Sequence, residues 1–436
     1  MADQLKVLYI SHYFPPEVNA PALRVSEMAS RWADNGADVT ILTGFPNHPT
    51  GIIPEEFKGM KRLVTKFKKL KVIRTYLYAA PNKGFIKRIL NYLSFMFSAV
   101  LLGTSKVGKP DIIIATSPQF FVAVAGYIIS RIKRTKFVFE IRDVWPEEIV
   151  AVGAIKNRLI IKSLETIEMF LYRKADLLVA VAQGTIDILT ERGIPKEKIV
   201  LYPNGVNIDH FQKGPDGNEL RKKLGFTDKF VVSYVGTHGM AHRLENILQV
   251  AKNLEQNKDI HFLFVGDGAE KKKLVRLAQE MNLANVLFQD QIAHEIVPEY
   301  YKATDLFMVP LRKAKLFTKN IPSKIYEIMA VKRPILISTE GESRKLVESA
   351  GAGIGCTPES VSEMTEKILF LYKNEKLRKK MGSDGNAFVM ANASRMHLAD
   401  KYLETLKSVV DNSFYGTQSA KTEESTVLNT KIKATA

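Results

Sequence analysis

Short apolar runs alternate with amphipathic segments along the first half of the chain. Each run is long enough for one buried strand, and segments such as Ala22–Asn35 have the spacing of a helix that buries one face. The alternation predicts a parallel sheet covered by helices. The predicted strands are Leu5–Ile10, Val39–Thr43, Val72–Leu77, Ile112–Thr116, Phe137–Ile141 and Leu177–Val181.

A second series of runs and helical segments follows a turn-rich stretch at Tyr202–Gly217. We therefore expect an α/β protein with two doubly wound Rossmann-like domains facing across a cleft, where ligands of such sheets usually bind. The predicted divisions are residues 1–208, residues 209–390, a C-terminal helix at 391–411 packing back on the first domain, and a disordered tail at 412–436. The second set of predicted strands is Phe230–Val235, His261–Val265, Val286–Phe288, Leu306–Pro310 and Pro334–Ile337.

Composition narrows the class of protein. A chain of 436 residues with 46% hydrophobic residues can build two cores. The single cysteine, Cys356, excludes an internal disulfide and a cysteine-rich zinc site, and suits a reducing cytosol. The first residues enter a strand directly, so no secretory signal is expected. The net charge of +17 indicates an anionic partner, which is a nucleotide phosphate, a nucleic acid or a membrane surface.

The positive charge is concentrated in one segment. Between Lys58 and Lys109 there are 13 Lys and Arg residues and no Asp or Glu. Within it, Phe85–Gly103 is apolar but interrupted by charges, so it does not predict a transmembrane span. A basic helix with apolar cover favours contact with an anionic membrane surface. The alternative is a core helix with a solvated basic end.

Three loops at predicted strand ends carry polar residues suited to chemistry. The loop after Ile10 contains Glu17 and Arg24. The loop after Ile141 contains Asp143, which either orients a sugar hydroxyl or accepts its proton, or else caps the next helix. The third contains Gly236 and Gly239, which permit a tight turn whose N–H groups could bind a diphosphate. A structural connection would have the same pattern.

The segment Ile321–Ser338 reads as a short helix leading into a buried strand, with Glu327 among apolar neighbours. A carboxylate there can accept two hydroxyl hydrogen bonds, and a solvated surface glutamate is the alternative. No Asp-x-Asp occurs, and the eight histidines lack ligand spacing, so we expect neither metal nor cofactor.

Several motifs together resemble a known family. YPNGVNIDHF at Tyr202–Phe211, VGDGAEKKKL at Val265–Leu274 and PSKIYEIMAVKRPIL at Pro322–Leu336 resemble the retaining family 4 glycosyltransferases of the GT-B fold. HYFPPE, EIRDVWPE and FPNHPTG are similar to a WbuB-like subgroup of O-antigen and capsule sugar transferases. The likeness covers about Leu5 to Lys407.

The resemblance implies roles for individual residues. Glu327 matches the second glutamate of the family's Glu-x7-Glu motif, which would hold the ribose hydroxyls, but the first falls at Lys319. The family's Arg and Lys for the diphosphate fall at Thr237 and His242. Their candidate replacements are His238, His242, Arg243 and Lys324, aided by a helix start after Gly239. The full set of expected donor-binding residues is Gly236, Thr237, His238, Gly239, His242, Arg243, Gly266, Asp267, Gly268, Gln291, Ile292, Ser323, Lys324 and Glu327.

The implied reaction is metal-independent transfer of a sugar from a nucleotide diphosphate, UDP-linked by resemblance, with retention at the anomeric carbon. A lipid-linked glycan is the expected acceptor, on the cytoplasmic face of the inner membrane. The alternatives are a sugar-nucleotide epimerase, or a non-catalytic nucleotide-sugar or nucleic-acid binder. Nucleic acid is not expected, because interleaved exposed aromatic residues are missing. Expected acceptor-binding residues are Glu17, Arg24, Asn47 and His48, and expected catalytic residues are Asp143, Lys319 and Asn320.

Overall fold

The computed structural model describes residues 4–48, 50–80, 85–145, 157–319 and 321–414. The chain forms two compact units, one of Met1–Pro203 with Met396–Ala436 and the other of Asn204–Arg395. The boundaries expected from the sequence lie after residue 208 and after residue 390. The predicted disordered tail, 412–436, lies outside the described residues from 415 onward.

The first unit contains an eight-stranded sheet in the order β3-β4-β2-β1-β5-β6-β7-β8. All pairs are parallel except β3 with β4. Neighbouring residues of β1 enter different cores, because Leu8 and Ile10 join one apolar cluster and Val7 and Tyr9 the other. The strands are β1 (Lys6–Ile10), β2 (Asp38–Gly44), β3 (Arg62–Phe67), β4 (Leu70–Thr75), β5 (Ile112–Thr116), β6 (Lys136–Ile141), β7 (Leu177–Ala180) and β8 (Ile199–Leu201).

Helices cover both faces of this sheet. The side chain of Asn19 caps the first helix by accepting from the N–H of Ala22, and Pro21 fits its first turn. The predicted apolar helix is confirmed, and it continues as a π-helical turn over Ala99–Gly103. The helices are α1 (Ala20–Asp34), α2 (Phe85–Ser98), α3 (Phe120–Lys133), α4 (Arg158–Lys174) and α5 (Gln183–Glu191). None of the helices in the described ranges is long and apolar enough to cross a membrane.

The chain returns to the first unit through the last helix, α15 (Arg395–Val410). Its residues Leu398, Tyr402 and Leu406 are buried in the cluster that contains Trp32 of α1. Trp32 Nε1 donates a 2.8 Å hydrogen bond to the carbonyl of Ala399. The N- and C-terminal parts of the unit therefore share one core.

Arg24 of α1 is buried inside the first unit, although the sequence suggested an acceptor-binding role. Its guanidinium donates to Glu140 of β6 at 3.2 Å and to the carbonyls of Tyr202 and Pro203 at 3.1 and 2.8 Å. Removing a charge from water is costly unless it is paired, and Glu140 supplies the partner. Arg24 therefore fixes the end of the first unit's chain rather than reaching a ligand.

The second unit contains a six-stranded parallel sheet in the order β11-β10-β9-β12-β13-β14. Its strands are β9 (Phe230–Val235), β10 (Ile260–Val265), β11 (Val286–Gln289), β12 (Leu306–Pro310), β13 (Ile335–Ser338) and β14 (Gly353–Gly355). Its helices are α6 (Ile208–Gln212), α7 (Asn218–Lys223), α8 (Glu245–Asn253), α9 (Lys271–Glu280), α10 (Val297–Lys302), α11 (Lys324–Ala330), α12 (Glu342–Ser349), α13 (Val361–Lys373) and α14 (Glu375–Asn392).

Candidate functional site

Two glycine turns bring the ends of β9 and β10 close together in the second unit. Gly236 follows β9 with φ 136°, and Gly266 follows β10 with φ 135°. A Cβ on Gly266 would lie 2.1 Å from the carbonyl oxygen of Gly236, so no larger residue fits without backbone movement. Gly268 is equally confined, since its Cβ would lie 2.4 Å from the carbonyl oxygen of His238. The two loops form one surface at the carboxyl edge of the sheet.

Lys324 brings a cation to this surface from the start of α11. Its Nζ lies 4.0 Å from the ring centroid of Tyr234, and 2.7 Å from the position a Cβ on Gly236 would take. The Tyr234 hydroxyl in turn donates to the carbonyl of Thr237 at 2.7 Å. Burial lowers the pKa of Lys324 to about 8, while the Glu327 carboxylate opposes that shift. The ammonium is thus held over an aromatic face beside the glycine turn.

The other expected cations of this loop are neutral or already paired. Burial lowers the pKa of His238 to about 4 and that of His242 to about 3, so both imidazoles are uncharged at neutral pH. The guanidinium of Arg243 lies 3.1 Å from the carboxylate of Glu245. Among the four residues expected to replace the missing charges, Lys324 is therefore the strongest candidate.

The backbone after Gly239 also differs from the prediction. A short 3-10 turn covers Met240–His242, and the regular helix α8 begins only at Glu245. The backbone of His238 is used to join the two loops, because its N–H donates to the carbonyl of Asp267 at 2.9 Å. The helical start expected after Gly239 is therefore a 3-10 turn and not an α-helix.

Glu327 lies one turn after Lys324 on α11 and is oriented by a tyrosine that the sequence gave no reason to choose. The buried Tyr301 hydroxyl donates to Glu327 Oε2 at 2.7 Å. Burial raises the pKa of Tyr301, so the phenol keeps its proton and remains a donor. Residues three apart on a helix share a face, which puts Lys324 and Glu327 on one side of α11.

Lys271 of α9 is a second residue that the sequence reading missed. Its Nζ donates to the carbonyls of Gly266 and Gln289 at 2.7 and 3.1 Å, and it pairs with Asp290 at 2.6 Å. The ammonium therefore ties the ends of β10 and β11 together. The two residues expected to contact the base come directly after Asp290 in the chain. Gln291 is exposed and Ile292 is partly buried.

The remaining expected residues of the second unit lie on the segment before α11. Lys319 ends a 3-10 turn over Lys315–Lys319, and Ser323 directly precedes Lys324, so both are near the start of α11 in the chain. Asn320 lies outside the described residues. Among the described residues, no group of three or more His, Cys, Asp or Glu side chains has a metal-binding arrangement.

In the first unit, Glu17 joins two loops. Its Oε1 accepts the N–H groups of Asn47 and His48, both at 3.0 Å, and its Oε2 accepts that of Phe14 at 3.4 Å. Burial raises the pKa of Glu17 to about 7, although these hydrogen bonds and the charge of Arg74 oppose the shift. Glu17 is used to hold the loops, so its expected contact with an acceptor is indirect.

Beside these loops is a small pocket. Asn47 and His48 line it, whereas Glu17 and Arg24 do not. Asp143 lies in the loop after β6, where its N–H is 3.2 Å from Ser117 Oγ. The lining residues are Tyr13, Asn47, His48, Ala80, Arg88, Asn91 and Tyr92.

Two protein families match this chain, one in each unit. Residues 19–205 match the glycosyl transferase 4-like domain, and residues 216–388 match the glycosyl transferases group 1. Among curated proteins, the putative colanic acid biosynthesis glycosyl transferase WcaI of Escherichia coli K12 is 25% identical over 84% of this chain and 91% of its own. The probable glycosyltransferase WbjE of Pseudomonas aeruginosa is 25% identical over 61% of this chain and 67% of its own.

Solved structures show the same architecture at lower identity. Sucrose-phosphate synthase from Thermosynechococcus elongatus superposes with a TM-score of 0.75 at 18% identity, over 94% of this chain and all of its own. HepE from Anabaena, solved in complex with UDP and glucose, gives a TM-score of 0.70 at 18% identity, over 93% of this chain and 100% of its own. These likenesses establish the fold.

Proposed function

Because this chain belongs to the glycosyltransferases of the GT-B fold, we propose that it moves a sugar from a UDP-linked donor to a lipid-linked saccharide, with retention at the anomeric carbon. The name of WcaI, a putative colanic acid biosynthesis glycosyl transferase, supports a role in bacterial surface polysaccharide assembly, such as O-antigen or capsule. The UDP bound by HepE supports the choice of nucleotide. The transferred residue would be an N-acetylated amino sugar or a deoxy sugar.

The observation that carries the proposal is Lys324, held 4.0 Å from the Tyr234 ring at the turn where Gly236 ends β9. In the reaction, the bond between the anomeric carbon and the diphosphate oxygen breaks, and the diphosphate keeps the electron pair. The acceptor hydroxyl loses its proton and its oxygen bonds to the anomeric carbon. A fixed cation beside N–H groups stabilises the charge that develops on the leaving group.

Glu327 supports the same assignment from the nucleoside side. Tyr301 fixes its carboxylate through a 2.7 Å hydrogen bond, one helical turn from Lys324. A carboxylate in this position suits the two ribose hydroxyls, and hydrogen bonds to a charged acceptor contribute about 1.5–3 kcal/mol each. Lys319 would face the transferred sugar in place of the family's first glutamate, so the donor sugar is the part of the substrate expected to differ.

Fixed protein cations and N–H groups can stabilise a diphosphate, so we propose that the transfer proceeds without a metal or other cofactor. The acceptor would bind near Asn47, His48 and Asp143. Its lipid would lie beside the basic segment Lys58–Lys109, with the protein attached peripherally to the cytoplasmic face of the inner membrane.

The basic segment has a surface that fits this attachment. Arg62 of β3 donates to the carbonyl of Leu102 at 3.1 Å, which joins the basic hairpin β3–β4 to the end of the apolar helix. Phe97 and Leu101 on that helical segment are 57% and 74% exposed. Cations next to exposed apolar side chains suit an anionic bilayer surface.

The decisive experiment compares UDP, GDP, TDP and ADP by thermal shift and then measures transfer. A ligand that binds only the folded protein raises its melting temperature, and we expect the largest rise with UDP. With membrane lipid extract and UDP-sugar, free UDP should be released. A product that stays attached to UDP would instead identify an epimerase, and binding without turnover would identify a non-catalytic protein.

A further inference from the structure

Helix α4 carries a stripe of exposed apolar side chains. Leu159 and Ile160 are 77% and 50% exposed, and Ile167 and Phe170 are 40% and 42% exposed. Ile167 is eight, seven and three residues from the other three, spacings that place side chains on one side of a helix. The opposite side of the helix packs on the core of the unit. These four residues, with Ser163 between them, are the α4 stripe. Contiguous exposed apolar side chains mark interaction sites, whereas single ones do not.

Cations border both ends of the α4 stripe. Lys162 lies one turn after Leu159, and Lys174 one turn after Phe170. The Nζ of Lys174 is 5.9 Å from the centroid of the Phe170 ring. Both lysines are exposed, and neither forms an ion pair with the described residues. Their charges are therefore available to an anion outside the protein.

The acidic residues of α4 lie off the stripe. Glu168 is buried and forms an ion pair with Arg192 at 2.9 Å. Glu165 is exposed, but it is two residues from both Ser163 and Ile167, a spacing at which side chains of a helix do not face each other. The α4 stripe therefore meets solvent with apolar side chains and positive charge, and without a carboxylate of its own helix.

The α4 stripe continues an outer layer that α2 and α3 begin. Helix α3 packs against both α2 and α4, and Phe95, Ile129 and Leu171 of the three helices share one core cluster. The three helices therefore cover the same face of the sheet. Near the end of α3, Ile132 is 56% exposed and the neighbouring Arg131 is exposed as well. Apolar and basic side chains thus recur on the outside of three adjacent helices.

We propose that the α4 stripe is a second contact surface for an anionic lipid bilayer, separate from the segment Lys58–Lys109. The inference rests on the proposed function, in which the protein is attached peripherally to a membrane, and adds a place where the two meet. An interfacial helix buries its apolar side at the boundary of headgroups and acyl chains, while its lysines contact lipid phosphates. Leu159 and Phe170 would enter that boundary, with Lys162 and Lys174 at the phosphates.

Charge favours a lipid surface over a second copy of the chain. In a symmetric dimer through the α4 stripe, the same patch would face itself, and the lysines of both copies would be brought together. Like charges at short range oppose such an association. Phosphate headgroups above an apolar layer complement the lysines and the apolar side chains at once.

Flotation of the full chain tests the proposal with vesicles of phosphatidylglycerol and phosphatidylcholine, and with phosphatidylcholine alone. Leu159→Ser combined with Ile160→Ser should weaken binding to the anionic vesicles about tenfold, as the loss of about two CH₂ groups from the apolar layer implies. Phe370→Ser combined with Met390→Ser is the matched control, because these side chains of the second unit are 48% and 51% exposed. The control should bind as the wild type does.

Three results of this assay would overturn the inference. They are undiminished binding by the Leu159 and Ile160 variant, an equal loss in the control, and equal binding of the wild type to both kinds of vesicle. UDP binding and UDP release by the wild-type protein report on the proposed function separately. The α4 stripe can therefore fail while the proposed function stands, and the reverse.

A fluorescent label gives a readout that keeps the apolar side chains in place. The single cysteine, Cys356, is buried, so an environment-sensitive label can be directed to an exposed cysteine introduced elsewhere. In Ser163→Cys, the emission of the label should shift to shorter wavelength when anionic vesicles are added. In Ser362→Cys, an exposed position of α13, it should not. An absent shift at residue 163, or a shift that follows protein concentration without vesicles, as a second copy would cause, contradicts the proposal.

Discussion

The ammonium of Lys324 lies 4.0 Å from the centroid of the Tyr234 ring, in a site where burial lowers its pKa to about 8. A diphosphate binds the protonated form, which predominates below that pKa. We therefore predict that the dissociation constant for UDP rises as pH increases from about 7 to 9, by up to tenfold per unit above the pKa. Isothermal titration calorimetry across this range measures the effect.

The variant Lys324→Gln tests whether Lys324, and not another titrating group, causes the pH dependence of UDP binding. The variant should bind UDP at least about tenfold more weakly at pH 7, and its affinity should vary little with pH. Lys376→Gln, an exposed lysine of α14, should behave as wild type. A variant at Lys324 that keeps the wild-type pH dependence would show that another group is responsible.

Glu327 and Tyr301 should act as a pair in donor binding. Glu327→Ala should weaken UDP binding by about 10- to 100-fold, because hydrogen bonds to a charged acceptor are lost. Tyr301→Phe keeps the carboxylate but removes the 2.7 Å hydrogen bond that orients it, so a smaller loss is expected. The double variant should then be little worse than Glu327→Ala, as coupling through one contact requires.

Competition binding with a fluorescent UDP analogue can compare all three variants. Glu366→Ala, on an exposed face of α13, provides the control. Additive losses in the double variant would argue against orientation of Glu327 by Tyr301.

Glu17 should make stability depend on pH. Its pKa is raised to about 7 in the folded protein from 4.5, so the folded state binds more protons than the unfolded state between these values. Glu17 therefore adds to the free energy of unfolding at low pH. As pH rises, this contribution falls by about 1 kcal/mol per pH unit until about pH 7.

Replacing the Glu17 carboxyl by an amide tests the direction of this pH dependence. In Glu17→Gln, the unfolding free energy from urea titrations should fall less than in wild type between pH 5 and 7. The exposed control Glu56→Gln should follow wild type. Parallel curves for wild type and Glu17→Gln would show that the carboxyl does not titrate in this range.

The membrane proposal is best tested on lysines whose side chains form no ion pair or hydrogen bond with the described residues. Lys69 pairs with Asp34 at 2.8 Å, and Lys71 donates to the carbonyl of Lys106, so changing them risks the fold. Replacing Lys61, Lys66 and Lys68 by Glu should weaken binding to anionic liposomes by about 100-fold in a flotation assay, since each basic residue contributes about 1 kcal/mol. Undiminished flotation would contradict a role for this segment.

The control for that experiment changes the net charge equally but elsewhere. Lys223, Lys258 and Lys376 are exposed lysines of the second unit, and their replacement by Glu should leave flotation largely unchanged. Adding Leu101→Ser to the wild-type background tests the apolar part, because this side chain is 74% exposed and its loss should not disturb the core.

Strands buried on both faces were the most predictable part of the fold. Ile112–Thr116 and Phe230–Val235 have the bounds expected from the sequence, because every residue in them is buried and hence apolar or small. β3 was missed because it is a mostly exposed edge strand with charged residues, and β14 because it contains two glycines.

The candidate site was predictable only where a local pattern carries the information. The glycine turns follow from sequence spacing, and Glu327 and Lys324 from the resemblance to the family. Tyr301 is brought to Glu327 from 26 residues away by the packing of α10. The neutrality of His238 and His242 depends on burial, which has no local sequence signal. Likewise, nothing in the sequence distinguishes Arg24, paired with Glu140, from a cation available to a ligand.

The acid-free segment Lys58–Lys109 presents mostly exposed lysine and arginine side chains among its described residues. Screening shortens the reach of exposed charges to about 8 Å at physiological salt. Ionic strength therefore controls how far this segment attracts anions. The segment is a salt-sensitive electrostatic element.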